Sequence, residues 1–381
     1  MISLTGTAML VICAVLALGL PVLTIVYLPR VRGRRRVRVV LRGALLVGCQ
    51  LTVVLLAAVA VNDAEGFFGS WTSLLQQPQP RSVRIVAGGG TPSTSPRPHG
   101  SSDPSGGIIQ GGDPTPSAST QWPRTGRLES ITITGAASTL TEHAFVYLPP
   151  QYFQPDYAHV RFPAVEALSD YPGTESSLLP YSQAMLSLIN ARRVAPTVLV
   201  MLRPATTYPR DTECTDVPAG PQAETFHARD IPSQLAGTYR IRSTGWGAIG
   251  VGTGGYCAAK LSMIHPRVFT AAVLDHGYFT AVRTAATGDL WAGSGVLRAE
   301  NDLQWRLQHL PAPPVSIMAV SSTDRQGPTG YRNTERFSSL VAAPMMVDLV
   351  IHSHPSPSVT AQSEEELTWL CARLPNPGSS P

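Results

Sequence analysis

The sequence predicts an α/β domain over residues 127–375, with a mainly parallel sheet covered on both faces, carried behind a two-helix transmembrane hairpin. Three observations lead there. Short apolar runs ending in polar residues alternate with helical patterns through the second half of the chain. Two uncharged apolar stretches stand at the amino terminus, about 4–28 and 43–61. Between them lie seven arginines, from Arg30 to Arg42.

Each apolar stretch is long enough to cross the hydrocarbon of a bilayer. A cleavable signal peptide places its positive residues before a shorter apolar core. Here they come after it, and a second span follows directly, so residues 1–62 read as a hairpin. Arginines in a short loop stay cytoplasmic, which puts both chain ends, and the domain, on the extracytoplasmic side of a cell membrane. The net charge of +4 is concentrated in this loop and gives no ground for nucleic-acid binding. Phe67, Phe68 and Trp71 mark residues 63–78 as an interfacial aromatic segment. Residues 79–126 are rich in Pro, Gly, Ser and Thr and read as a disordered tether. Residues 376–381 form a tail.

Within the domain the strand candidates are SITITG, HAFVYLPP, FPAVEALSD, PTVLVMLRP, GWGAIGVG, VFTAAVLD, PVSIMAVSS and MMVDLVIHS, with GGYCAAKLSMIH as the helix after the fifth. The turn before that helix fits two motifs. Gly250, Gly252 and Gly255 match G-x-G-x-x-G, the dinucleotide fingerprint, and Asp275 follows where a ribose-binding acid would sit. The same residues match the nucleophile elbow G-x-S-x-G, with Gly252 in the serine position. A dinucleotide fingerprint usually opens its domain, whereas at least four strand candidates precede this one. Context therefore favours the elbow, and no cofactor is expected.

The segments VYLPPQYFQPDYAHVRFPAVEALSDYPG, PRDTECTDVPAGPQAETFHARDIPSQL, GAIGVGTGGYCAAKLSMIHPRVFTAAV and the EELTWL helix resemble the esterase family of α/β-hydrolases that includes esterase D and the antigen 85 mycolyltransferases. With the hairpin and the FFGSW segment, the chain is most similar to the actinobacterial members carried on an amino-terminal hairpin. The resemblance implies an α/β-hydrolase fold, an esterase or acyltransferase ancestry, and site positions. The nucleophile falls on Gly252, which has no hydroxyl and forms no covalent intermediate. The oxyanion-hole positions fall on Thr253 and Asp170; in Leu168-Ser169-Asp170-Tyr171-Pro172-Gly173 an acid stands where the family has glycine. Asp170 is either a turn cap or a carboxylate that opposes an oxyanion. Thr253 carries the nearest hydroxyl, with its side chain expected to point elsewhere. The general base falls on His354, and the acid on Asp324, with Glu335 as the fallback. His352 and His354 lack a third ligand, so no metal site is expected. Cys214 and Cys257 lie in matching segments of an exported domain and are disulfide candidates, the alternative being two separate buried thiols.

Three functional readings follow. The first is a catalytically impaired, membrane-anchored module that binds a cell-envelope lipid, glycan or protein. The second is an active esterase or acyltransferase with a displaced nucleophile. The third is a dinucleotide-binding enzyme.

Overall fold

In a computed structural model the described residues are 14, 15, 17, 19–21, 47–57, 83–86, 121–323, 327–352 and 359–378. The chain divides into two units, Met1–Pro78 and Gln79–Pro381. In the first, residues 47–57 are helical and leave Val47, Leu51, Val53, Val54 and Leu55 exposed. Among the described residues no helix is long and apolar enough to cross a membrane. Most of both proposed spans, the arginine loop and residues 63–78 lie outside the described residues.

The second unit is built on a nine-stranded sheet. Its strands are β1 (Val83–Val86), β2 (Arg127–Thr134), β3 (Thr141–Leu148), β4 (Ala164–Leu168), β5 (Val198–Leu202), β6 (Trp246–Val251), β7 (Phe269–Asp275), β8 (Ser316–Ser322) and β9 (Met346–His352). The spatial order is β1-β2-β3-β5-β4-β6-β7-β8-β9. β2 and β3 form an antiparallel hairpin, β3 pairs antiparallel with β5, and the strands from β5 to β9 run parallel. Two pieces of order fall inside the segment read as a tether. Val-Arg-Ile-Val forms β1 along β2, and Trp122–Thr125 forms a helical turn before β2. Order therefore begins upstream of Arg127; residues 87–120 lie outside the described residues.

The period-2 strands divide their side chains between two cores. On β5, Leu199 and Met201 face one side while Val198, Val200 and Leu202 face the other. The first side is covered by α1 (Leu179–Asn190) and by α5 (Val359–Cys371), through Leu188, Leu367 and Leu370. The second is covered by α2 (Ile231–Thr238), α3 (Thr253–Ile264) and α4 (Tyr331–Ser339), through Leu235, Tyr256 and Phe337. A fully buried pair sits within this second layer: Glu166 of β4 and His227 hydrogen-bond at 2.6 Å, and burial pushes the Glu166 carboxyl up.

The chain runs from β4 out to β5 and back to β6 on the other side of β4, so connections leave β4's neighbours in opposite directions. Ligand sites of open α/β sheets lie outside the carboxyl ends of strands at such a switch point. Here those ends belong to β4 and β6, and they carry Asp170 and Gly252.

Candidate functional site

β6 ends at Val251 and α3 starts at Thr253, so a single residue turns the chain from strand to helix. That residue is Gly252, at φ 55° and ψ −117°, a conformation costly for any residue with a Cβ. Its N–H donates to the Asp275 carbonyl at 2.9 Å, and its own carbonyl accepts the Tyr256 N–H at 3.0 Å, opening the helix. A Cβ on Gly254 would lie 2.3 Å from the Leu168 carbonyl oxygen, so the helix leaves the sheet pressed against β4. This is the geometry of a nucleophile elbow.

The neighbouring strand supplies what fills it. Asp170 follows Ser169 at the end of β4, whose Leu168 pairs with Gly250 of β6. Its Oδ1 accepts the Thr253 N–H at 2.9 Å and the Tyr171 N–H at 2.8 Å. A Cβ built on Gly252 would lie 2.1 Å from that Oδ1 and 2.3 Å from the Asp170 Cγ. The carboxylate thus occupies the space a serine side chain would need. It also takes two backbone N–H donors that converge on one anion at the positive end of a 12-residue helix. Asp170 thus ties the turn after β4 to the start of α3.

Thr253 turns its side chain away from the hole. Its hydroxyl donates to Asp211 Oδ2 at 3.2 Å and lies 3.3 Å from the Tyr278 hydroxyl. Asp211 and Glu213 were not among the site residues expected from sequence. The signal was present as the acid-rich run Asp211-Thr212-Glu213-Cys214-Thr215-Asp216 in the loop after a buried strand. Asp211 also accepts the Glu213 N–H at 3.0 Å. Burial, with the Asp170 charge adding to it, raises the Asp211 carboxyl to about 6. Glu213 accepts the Tyr278 hydroxyl at 2.7 Å on Oε1, and its other oxygen has no partner. Burial raises its carboxyl to about 8, so the neutral acid prevails at pH 7 and no unpaired charge is buried.

The loop bearing these acids is pinned to α3. A disulfide joins Cys214 to Cys257, with Cα atoms 5.7 Å apart. Fully buried Lys260, one helical turn beyond Cys257, donates to the Cys214 carbonyl and the Thr215 hydroxyl, each at 2.8 Å. Those anchors hold Glu213 and Cys214 at positive φ, 47° and 48°. Cys371 stays a free, buried thiol on α5, pushed up to about 12 by burial.

The remaining expected residues are not brought into this geometry. Asp324 and His354 each stand two positions beyond the last residues of β8 and β9, Ser322 and His352, and both lie outside the described residues. Glu335 is exposed on α4, and among the described residues its side chain hydrogen-bonds to no member of the site. Among the described residues no cluster of three or more His, Cys, Asp or Glu side chains is arranged to hold a metal ion. The dinucleotide reading fails on the elbow itself. The first helical turn that would receive a pyrophosphate already faces the Asp170 carboxylate, which would repel one. Asp275 is buried and hydrogen-bonded to His276 at 2.5 Å, not presented to a ribose.

No family model and no curated protein matches the sequence. Solved structures do match. An S-formylglutathione hydrolase from Agrobacterium tumefaciens superposes with a TM-score of 0.54 at 14% identity, covering 66% of this chain and 97% of its own. A ferulic acid esterase gives 0.53 at 14%, covering 66% and 100%. FphF, a fluorophosphonate-binding serine hydrolase of Staphylococcus aureus, gives 0.50 at 14%, covering 65% and 98%. The fold is that of an esterase-type α/β-hydrolase. At such identity the likeness extends to the fold alone, and the chemistry of this domain has to come from its own residues. Those residues offer a one-residue strand-to-helix turn at Gly252, faced by the Asp170 carboxylate that accepts the Thr253 and Tyr171 N–H groups.

Proposed function

We propose that this chain is a membrane-anchored, extracytoplasmic α/β-hydrolase-fold protein that has given up acyl transfer and serves as a binding or scaffolding module. The observation that carries the reading is the position of Asp170. Its carboxylate stands where a serine side chain would stand and holds the N–H groups that would stabilise an oxyanion. Losing the nucleophile alone removes about a millionfold in rate from a triad enzyme. Here the second half of the machinery is occupied as well. Anchoring rests on the two apolar stretches around the arginine loop, and the exposed apolar side chains of the 47–57 helix agree with it. A lipid, glycan or protein of the cell envelope is the class of ligand such a module would meet.

The test uses the full chain and three variants, Gly252→Ser, Asp170→Gly and the two combined, with fluorophosphonate labelling and turnover of a short acyl ester. The expected outcome is no labelling of the wild type or of either single variant, and labelling of the double variant. Labelling of the wild type would overturn the proposal. One contact favours a second reading, a displaced nucleophile: the Thr253 hydroxyl donates to Asp211, a carboxyl raised to about 6. Wild-type labelling that disappears in Thr253→Val would establish it.

A further inference from the structure

The amino end of the domain's central parallel strands is rich in arginine. The loops that lead into four adjacent parallel strands, β5, β4, β6 and β7, span residues 191–197, 158–163, 239–245 and 265–268. They contain Arg192, Arg193, Arg161, Arg240, Arg242 and Arg267, and the one acid beside them in sequence is exposed Asp156, just ahead of the segment into β4. Neighbouring strands lie about 4.8 Å apart, so these loops form a row on the order of 15 Å long. The opposite end of the same strands mixes charges, with Asp170, Asp211 and Asp275 alongside Arg203 and Arg210.

Four of the arginines, Arg161, Arg192, Arg193 and Arg267, are exposed. Glu364 meets Arg193 at 3.4 Å, and Arg161 Nη1 donates to the Ala236 and Ile241 carbonyls at 3.2 and 2.9 Å. Arg240 is tied down by the Tyr152 and Tyr157 carbonyls and stacks on the Tyr152 ring, so it shapes the surface more than it offers charge. A cleft of about 590 Å³ opens at this end, with Arg192, Arg193, Gln151, Gln154 and Tyr157 among its walls. The Gln151 Oε1 in it has no hydrogen-bond partner.

The chain re-enters the described fold at this same end. β2 starts at Arg127, which pairs with Leu148, the last residue of β3. The turn just before it presents half-buried Trp122 and exposed Arg124. Guanidinium groups bind phosphate oxygens bidentately, and mixed Arg and aromatic side chains suit a headgroup layer. Attraction between an exposed cation and a charged surface fades beyond about 10 Å at 0.1 M salt, so such a surface must lie close to act. A domain tethered to a bilayer meets that bilayer at high effective concentration.

We infer that the amino-end face of the domain, centred on Arg161, Arg192, Arg193 and Arg267, is a docking surface for phosphate-bearing anionic lipid headgroups, leaving the Gly252 end turned outward. The inference rests on the membrane-anchored reading.

The experiment reconstitutes the full chain into bilayers of phosphatidylcholine alone, or with one third phosphatidylglycerol, and follows amide hydrogen exchange. Segments 158–163, 191–197 and 265–268 should exchange several-fold more slowly in the anionic bilayer at low salt, and the loop 205–216 should not change. Adding salt should remove the difference, as should Arg192→Gln with Arg193→Gln and Arg267→Gln. Equal exchange in the two bilayers would overturn the inference, as would protection that survives the arginine substitutions. So would equal protection from soluble heparin in phosphatidylcholine, which would mark a general polyanion site. A chain that fails to enter bilayers sinks the hairpin, not the surface. The same comparison with vesicles added to the chain then decides the surface alone.

Discussion

Gly252→Ser probes the elbow and the anion hole together. The new Cβ would stand 2.1 Å from Asp170 Oδ1 and 2.5 Å from Oδ2, far inside contact distance. The backbone cannot yield, because Gly252 is fixed through Asp275 on one side and Tyr256 on the other. The side chain of Asp170 must swing out, giving up its bonds from Thr253 and Tyr171. Asp170 is exposed, so water recovers most of its solvation, and the lost pair costs about 1–2 kcal/mol. Holding a serine at φ 55° adds on the order of 1–3 kcal/mol. Urea unfolding should therefore show Gly252→Ser destabilised by about 2–5 kcal/mol. Asp170→Gly removes the clash and already forfeits the two bonds. The double variant should be less destabilised than the sum of the singles, by about 1–2 kcal/mol in a double-mutant cycle. A Gly252→Ser protein within about 0.5 kcal/mol of wild type, or an additive cycle, would refute the claim that Asp170 fills the serine's place.

Other consequences are open to direct measurement. Glu213 has a folded value near 8 against an ordinary 4.5; its favourable contribution is full below about 4.5 and is lost as pH rises through 8. Wild type should thus lose stability between pH 5 and 8.5 relative to Glu213→Gln, and parallel pH profiles would contradict this. The Cys214–Cys257 bond closes a loop of 43 residues, so Cys214→Ser with Cys257→Ser should cost about 4 kcal/mol in urea; no change in midpoint on reduction would count against its holding the loop. His227→Ala strands the buried Glu166 carboxyl and should cost about 3–5 kcal/mol, whereas a loss under 1 kcal/mol would mean the pair is not held as described. For the membrane hairpin, cysteine labelling should reach the carboxyl terminus from outside and Arg30 to Arg42 only after permeabilisation; a protected carboxyl terminus would refute the hairpin.

Composition and periodicity determine a good deal about this protein unaided. The short apolar runs of PTVLVMLRP and VFTAAVLD point to strands buried on both faces, and their alternation with helical segments points to a mainly parallel sheet. The absence of a side chain at Gly252 is a covalent fact, visible without coordinates. The short β1 was hidden because four residues in a Pro- and Gly-rich stretch have no periodicity of their own; β2 provides their hydrogen bonds. Nothing local announces the partner of Asp170 on α3, since the Thr253 N–H it accepts lies 83 residues away in sequence. Asp211 and Glu213 look like ordinary loop acids until the disulfide and Lys260 draw their loop onto α3, where burial changes what their carboxyls can do. Chemistry absent from a position is written in one dimension. Chemistry made by bringing a carboxylate to two backbone amides, or by taking water away from an acid, exists only once the sheet has set β4 beside β6.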